Sequence, residues 1–252
     1  MDQFLLKGGA LVIGSLLWDD TATRVHWWDH HVNKALRTAV PLPIRYGRES
    51  GDERNHTHTM VFSYACRDHL GMGYALPFRQ SITSISDVNT QAIEMMKAER
   101  KKSTLAYDEH YNWGWGAMGL LINPLHLEPG SDKYPHCLEL AQYWASRMTG
   151  GFRHHEYKVG YETSMMEKSG MLRVDWQPEL NEFDFVIATA VKAESPFYPN
   201  EDEIARRTLE NQYTYYFDQN IRHGITTYQD ATIIAILTSN NAQILPPENL
   251  LQ

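Results

Sequence analysis

The chain has 252 residues, 42% hydrophobic and 21% charged, the balance of a globular protein able to bury a core. Its formal net charge of −8, with no basic run or stripe, argues against nucleic acid as a partner. The two cysteines, Cys66 and Cys137, stand in no metal or redox spacing, so no disulfide framework is indicated, as suits a reducing, cytoplasmic compartment.

Residues 9–18 form an apolar run of signal-sequence length. Asp2 precedes it and Asp19 and Asp20 follow at once, so the run reads as a buried first strand. It is far too short to span a membrane, and no membrane partner is expected. Leu11, Val12 and Ile13 form that strand, broken by Gly14-Ser15. Residues 40–45 and 57–63 read as further strands, with a polar loop over 46–54 between them. In the second strand Thr57, Thr59 and Val61 alternate with His58, Met60 and Phe62, the period of a sheet with two distinct faces. A strand over 73–76 stops at Pro77.

Residues 84–102 give the best helix. Ser84 followed by Asp87 supplies the start of a capping box. A polar, aromatic stretch over 107–115 leads to a strand over 117–122, ended by Asn123-Pro124. Residues 135–148 read as a helix closed by Gly150-Gly151, 171–176 and 183–191 as strands, and 201–219 as one long helix. Residues 226–237 fit either a strand or a helix. Strands and helices alternate without a regular βαβ rhythm. The expected class is α+β, a mixed β-sheet or partly closed β-barrel with peripheral helices in a single domain.

On a helical wheel with Val88 at zero, Met95 falls at about −20°, Ala92 at about 40°, Ile85 at about 60° and Met96 at about 80°. Glu99 falls at about 20°, within this apolar stripe, while Glu94 and Lys97 project from the other side. An inward carboxylate must be paired, hydrogen-bonded or protonated, and desolvation raises its pKa toward the range of a general acid or base. The structural alternatives are a frayed helix end that leaves Glu99 in water, or an ion pair with Arg100, Arg79 or another cation.

Other constellations carry less. His26 and His30 stand four apart, with His31, His56, His58, His154 and His155 as further candidates, but Trp27 and Trp28 occupy the places where a zinc-protease motif needs its glutamate. Surface or packed histidines are the default and no metal is expected. Ser15 lacks the second glycine of a nucleophile elbow, since Leu17 occupies that place. Asp108-Glu109-His110 reads as a solvated loop. Tyr111, Trp113 and Trp115 read as packing residues or as caps of a pocket.

Ile13-Gly14-Ser15-Leu16-Leu17-Trp18 resembles the first-strand signature of the γ-glutamylcyclotransferase-like superfamily, particularly its ChaC-type branch, which usually has tyrosine where this chain has Ile13. Residues 48–57, with Arg48, Ser50 and Arg54, are similar to the branch's Arg-Gly-Thr-like segment, altered here to Asn55-His56-Thr57. Gly73-Tyr74-Ala75 looks like the strand before the catalytic helix, and Ala98-Glu99-Arg100 resembles the site of the family's essential glutamate. The resemblance covers residues 10–122 and leaves 123–252 as a C-terminal elaboration. It implies cyclisation of a small-molecule γ-glutamyl substrate to 5-oxoproline, with Glu99 as acid and base. Ile13, Gly14, Ser15, Leu16, Arg48, Ser50 and Arg54 would bind substrate, and no cofactor is required. A non-catalytic module binding a small ligand or protein through the same cavity is the alternative. The oligomeric state is left open.

Overall fold

A computed structural model describes residues 4–51, 57–148, 151–193 and 196–240. Its strands are β1 (Gly8–Val12), β2 (Thr38–Leu42), β3 (Ile44–Ser50), β4 (Thr57–Phe62), β5 (Gly71–Pro77), β6 (Asn112–Trp113), β7 (Gly116–Ile122) and β8 (Phe185–Val191). The α-helices are α1 (Ala22–His30), α2 (Ile85–Arg100), α3 (Tyr134–Arg147), α4 (Glu201–Glu210), α5 (Tyr215–Arg222) and α6 (Asp230–Ser239). None of the described helices is long and apolar enough to cross a membrane.

Six strands form one mixed sheet in the order β2-β5-β1-β8-β7-β6, and β3 and β4 form a separate hairpin. The central pair β1–β8 is parallel, with Gly8 opposite Phe185 and Leu11 opposite Ala188, and the other pairs are antiparallel. Every residue of β1 is buried, as are all but the last of β8. This explains why both strands are apolar apart from Thr189 of β8, because a strand covered on both faces needs no alternation. The two sheets share no hydrogen-bonded strand pair among the described residues, so the architecture is α+β without a closed barrel. β8, from the C-terminal half, occupies the middle of the sheet, so that half supplies core structure as well as outer helices.

Several sequence expectations need correction. The strand expected over 40–45 is two strands in two sheets, divided at Pro43. Proline has no N–H to continue a ladder, and the Pro43 carbonyl instead accepts from Ser63 N at 2.9 Å. The loop expected from residue 46 is strand as far as Ser50, with a bulge between Tyr46 and Arg48. Residues 171–176 form no strand: Met171 and Leu172 make isolated bridges to Leu120 and Met166, and the chain then leaves the sheet.

The long helix expected over 201–219 is also broken, into α4 and α5. Gln212, at φ 51°, turns the chain between them, and Thr214 Oγ1 donates to Asp218 Oδ2 at 2.7 Å across the first turn of α5. Residues 226–237 resolve mainly as α6. The strand expected over 57–63 is β4, but His58 and Met60 are buried along with Thr57 and Val61, so both of its faces are covered.

α2 forms as its sequence dictates. Ser84 accepts from Asp87 N at 3.2 Å as N-cap, and the apolar stripe of Val88, Ala92, Met95 and Met96 is fully buried. Burying each larger side chain of that stripe contributes about 1.5–3 kcal/mol. The helix ends at Lys101, whose φ of 50° and ψ of 41° place it in the left-handed C-cap conformation.

Candidate active site

The chain leaving β1 enters a single 3-10 turn, Ser15–Leu17, closed by Leu17 N donating to the Gly14 carbonyl at 3.0 Å. Two tryptophans fasten this turn. Trp28 Nε1 of α1 donates to the Leu16 carbonyl at 2.9 Å, and Trp18 Nε1 donates to Asn220 Oδ1 of α5 at 2.8 Å. A Cβ on Gly14 would lie 2.8 Å from the Tyr216 hydroxyl, so glycine is needed there for close approach. That hydroxyl in turn accepts from Met60 N of β4 at 3.3 Å.

A cavity of about 220 Å³ opens beside the turn. Ile13, Gly14, Ser15 and Leu16 form one wall, Arg48 and Ser50 of β3 another, and Glu99 of α2 a third. Residues separated by more than 80 positions in sequence thus face one space. Arg54 lies outside the described residues. The Arg48 guanidinium lies 4.8 Å from the centre of the Trp115 ring, which also lines the cavity. Trp115 therefore belongs to the pocket, whereas Tyr111 is buried against Trp144 and Glu109 is paired with Arg100.

Glu99 has a side chain 17% exposed, and its Oε2 lies 3.6 Å from Arg24 Nη2. At that distance the pair is electrostatic rather than a formed hydrogen bond. Arg24 is held more tightly elsewhere, by Asp19 Oδ2 at 2.9 Å and by the Ala98 carbonyl at 3.2 Å. Burial pushes the Glu99 carboxyl above its usual range and Asp19 pushes the same way, while Arg24, the Thr189 hydroxyl and Arg48 pull it back down. Of the structural alternatives for Glu99, the ion pair is present, but with Arg24 of α1.

Four contributors escaped sequence reasoning. Arg24 and Thr189 are buried polar residues in the cavity wall. Tyr216 is buried, and burial raises its phenol. Lys101 lines the cavity and reaches Asp19 at 2.8 Å. The cavity continues into an adjoining recess of about 370 Å³, where Trp18, Tyr213 and Tyr215 meet Asp19 and Asp20. The Trp18 ring packs edge-on to Tyr215 at 5.6 Å and to Tyr216 at 5.7 Å.

Glu94, expected to project away from the core, instead packs toward the C-terminal end of α1. Its side chain is as little exposed as that of Glu99, and it contacts Lys97 at 2.7 Å and His31 at 3.8 Å.

The fold and cavity define an α+β protein with a polar, partly enclosed small-molecule-sized site at the end of its central strand pair. No protein-family model, no curated protein and no solved structure matches the chain.

Proposed function

We propose that this chain is a γ-glutamylcyclotransferase-like enzyme, which cyclises a γ-glutamyl group to 5-oxoproline and releases an amine or amino acid. The observation that carries the reading is the Glu99 carboxyl, raised by burial and facing the same cavity as the Gly14-Ser15 turn. A buried carboxyl whose pKa is raised in this way is suited to take up a proton and return it later in the cycle.

In this reaction the substrate's α-amino nitrogen attacks its own γ-carbonyl carbon. Glu99 takes the proton that the nitrogen loses as the new C–N bond forms. The original γ-amide C–N bond then breaks, and Glu99 returns a proton to the departing nitrogen. The ring closure is intramolecular, so holding the γ-glutamyl chain folded supplies much of the acceleration. Arg48 and the backbone at Gly14-Ser15-Leu16 hold the anionic α-carboxylate, with Ile13 and Ser50 shaping the same pocket. The adjoining aromatic recess receives the leaving group.

One observation favours the alternative, a non-catalytic module that binds a small ligand or protein in the same cavity. Arg24 already lies 3.6 Å from Glu99 and stabilises its ionised form, which weakens it as a proton donor.

The test is to incubate the purified protein and its Glu99→Gln variant with a panel of γ-glutamyl compounds and measure 5-oxoproline. The enzyme reading expects release by the parent and a loss of roughly 10²- to 10⁴-fold in the variant. Saturable binding of a γ-glutamyl compound without release would select the binding module. Equal release by both proteins would move the proton-transfer role away from Glu99.

A further inference from the structure

We infer that His26, His31 and Glu94 form a binding site for a divalent transition-metal ion of the zinc class, fastening α1 to α2. One ligand atom from each of the three side chains lies within 4.8 Å of the other two. The set combines two imidazoles with one carboxylate, donors that suit zinc and its neighbours rather than calcium or magnesium, which prefer oxygen ligands throughout.

The local geometry favours this use. Glu94 divides its two oxygens: Oε1 holds Lys97 at 2.7 Å, and Oε2 faces His31 Nε2 at 3.8 Å. A metal can therefore take Oε2 while the Lys97 contact remains. In a tetrahedral zinc site the ligand atoms stand roughly 3.3 Å apart, so small side-chain rotations complete the set. His26 is exposed and gives the ion a path in, with the fourth position left for water. The buried Gln91 stands beside the His31 ring and acts on it as a hydrogen-bond acceptor. Such an acceptor serves to orient a ligating histidine from behind.

His30 is the natural competitor. It stacks on His26 at 4.3 Å, but its Nδ1 lies 2.9 Å from the His26 carbonyl, and it stands outside the three-ligand group. An exposed His26/His30 pair at helical spacing would bind metal weakly without involving α2. The same two helices carry Arg24 and Glu99, so an ion at the His31 end pins the helix pair whose other end borders the cavity.

The experiment uses untagged full-length chain, stripped with a chelator and titrated with zinc by calorimetry and thermal melting. The expected result is one ion per chain and a melting temperature raised by roughly 5–10 °C at a hundredfold excess over Kd, with no such rise from magnesium. His26→Ala, His31→Ala and Glu94→Gln should each weaken zinc at least ~10-fold, while His30→Ala should not. Because His26 is exposed, His26→Ala should melt like the parent in the absence of metal, which separates lost binding from lost fold. A zinc response unchanged in both His26→Ala and Glu94→Gln would overturn the site, as would loss in His30→Ala with none in Glu94→Gln. Absence of any zinc response in the parent would do the same.

Discussion

Arg24 and Glu99 stand 3.6 Å apart across the wall between α1 and α2, and the guanidinium gives its shorter contacts to Asp19 and to the Ala98 carbonyl. The arginine thus lowers the pKa of a carboxyl that burial raises, without saturating its oxygens. Arg24→Gln should move the Glu99 pKa further up, since it removes the largest stabiliser of the ionised form and leaves Asp19 nearby. The carboxyl carbon shift of Glu99, followed by NMR against pH, reads this directly. In the enzyme reading the acidic limb of the rate profile should move to higher pH with it. A Glu99 titration that stays put or moves down would show that Arg24 does not set it.

Glu99 also bears on stability. Its folded pKa lies above the ordinary 4.5, so its favourable contribution is complete below pH 4.5 and is lost as pH rises through the folded value. Glu99→Gln removes the cost of an ionised buried carboxyl and should melt higher than the parent at neutral pH. The gap should close on acidification below 4.5. A variant that melts lower at pH 7 would mean that the Arg24 pair outweighs desolvation.

Gly14 and Tyr216 form a second coupled pair. Gly14→Ala places a methyl group 2.8 Å from the Tyr216 hydroxyl, and overpacking of this kind costs about 1–3 kcal/mol. Tyr216→Phe deletes that oxygen and also the acceptor of Met60 N. The double variant should lose less stability than the sum of the singles, because the phenylalanine leaves room for the methyl. Strict additivity in chemical denaturation would show that the two do not meet.

The parts of the site legible in the sequence are the local ones. Ser84, Asp87 and the stripe from Val88 to Met96 set both the start and the rotation of α2, and with them the direction of Glu99. Gly14-Ser15 marked the end of β1 through composition alone. Arg24, Thr189 and Tyr216 were not legible, because each reaches the cavity through a packing that no short window records. Arg24 lies on a helix crowded with histidine and tryptophan, and its burial depends on Asp19 and on a carbonyl 74 residues away. Tyr216 was hidden within one expected long helix. Thr214 followed by Asp218 was a usable signal that a new helix begins there. Pro43 likewise marked the division between the two sheets, and its missing N–H was the clue.

Asp230 provides a pH test independent of the cavity. It opens α6 and accepts from Thr227 N at 2.8 Å and from Thr227 Oγ1 at 2.9 Å. Burial nevertheless raises its pKa from 3.8 to about 6. Its stabilising contribution is therefore present below pH 3.8 and lost as pH rises through about 6. The full change is on the order of 3 kcal/mol. Asp230→Asn keeps an acceptor for Thr227 N and carries no charge at any pH. Its melting temperature relative to the parent should climb by roughly 6–10 °C between pH 4 and pH 7 and then level off. A difference that is flat across this window would mean that water or local opening keeps Asp230 ionised at little cost, and that its two bonds to Thr227 dominate at the start of α6.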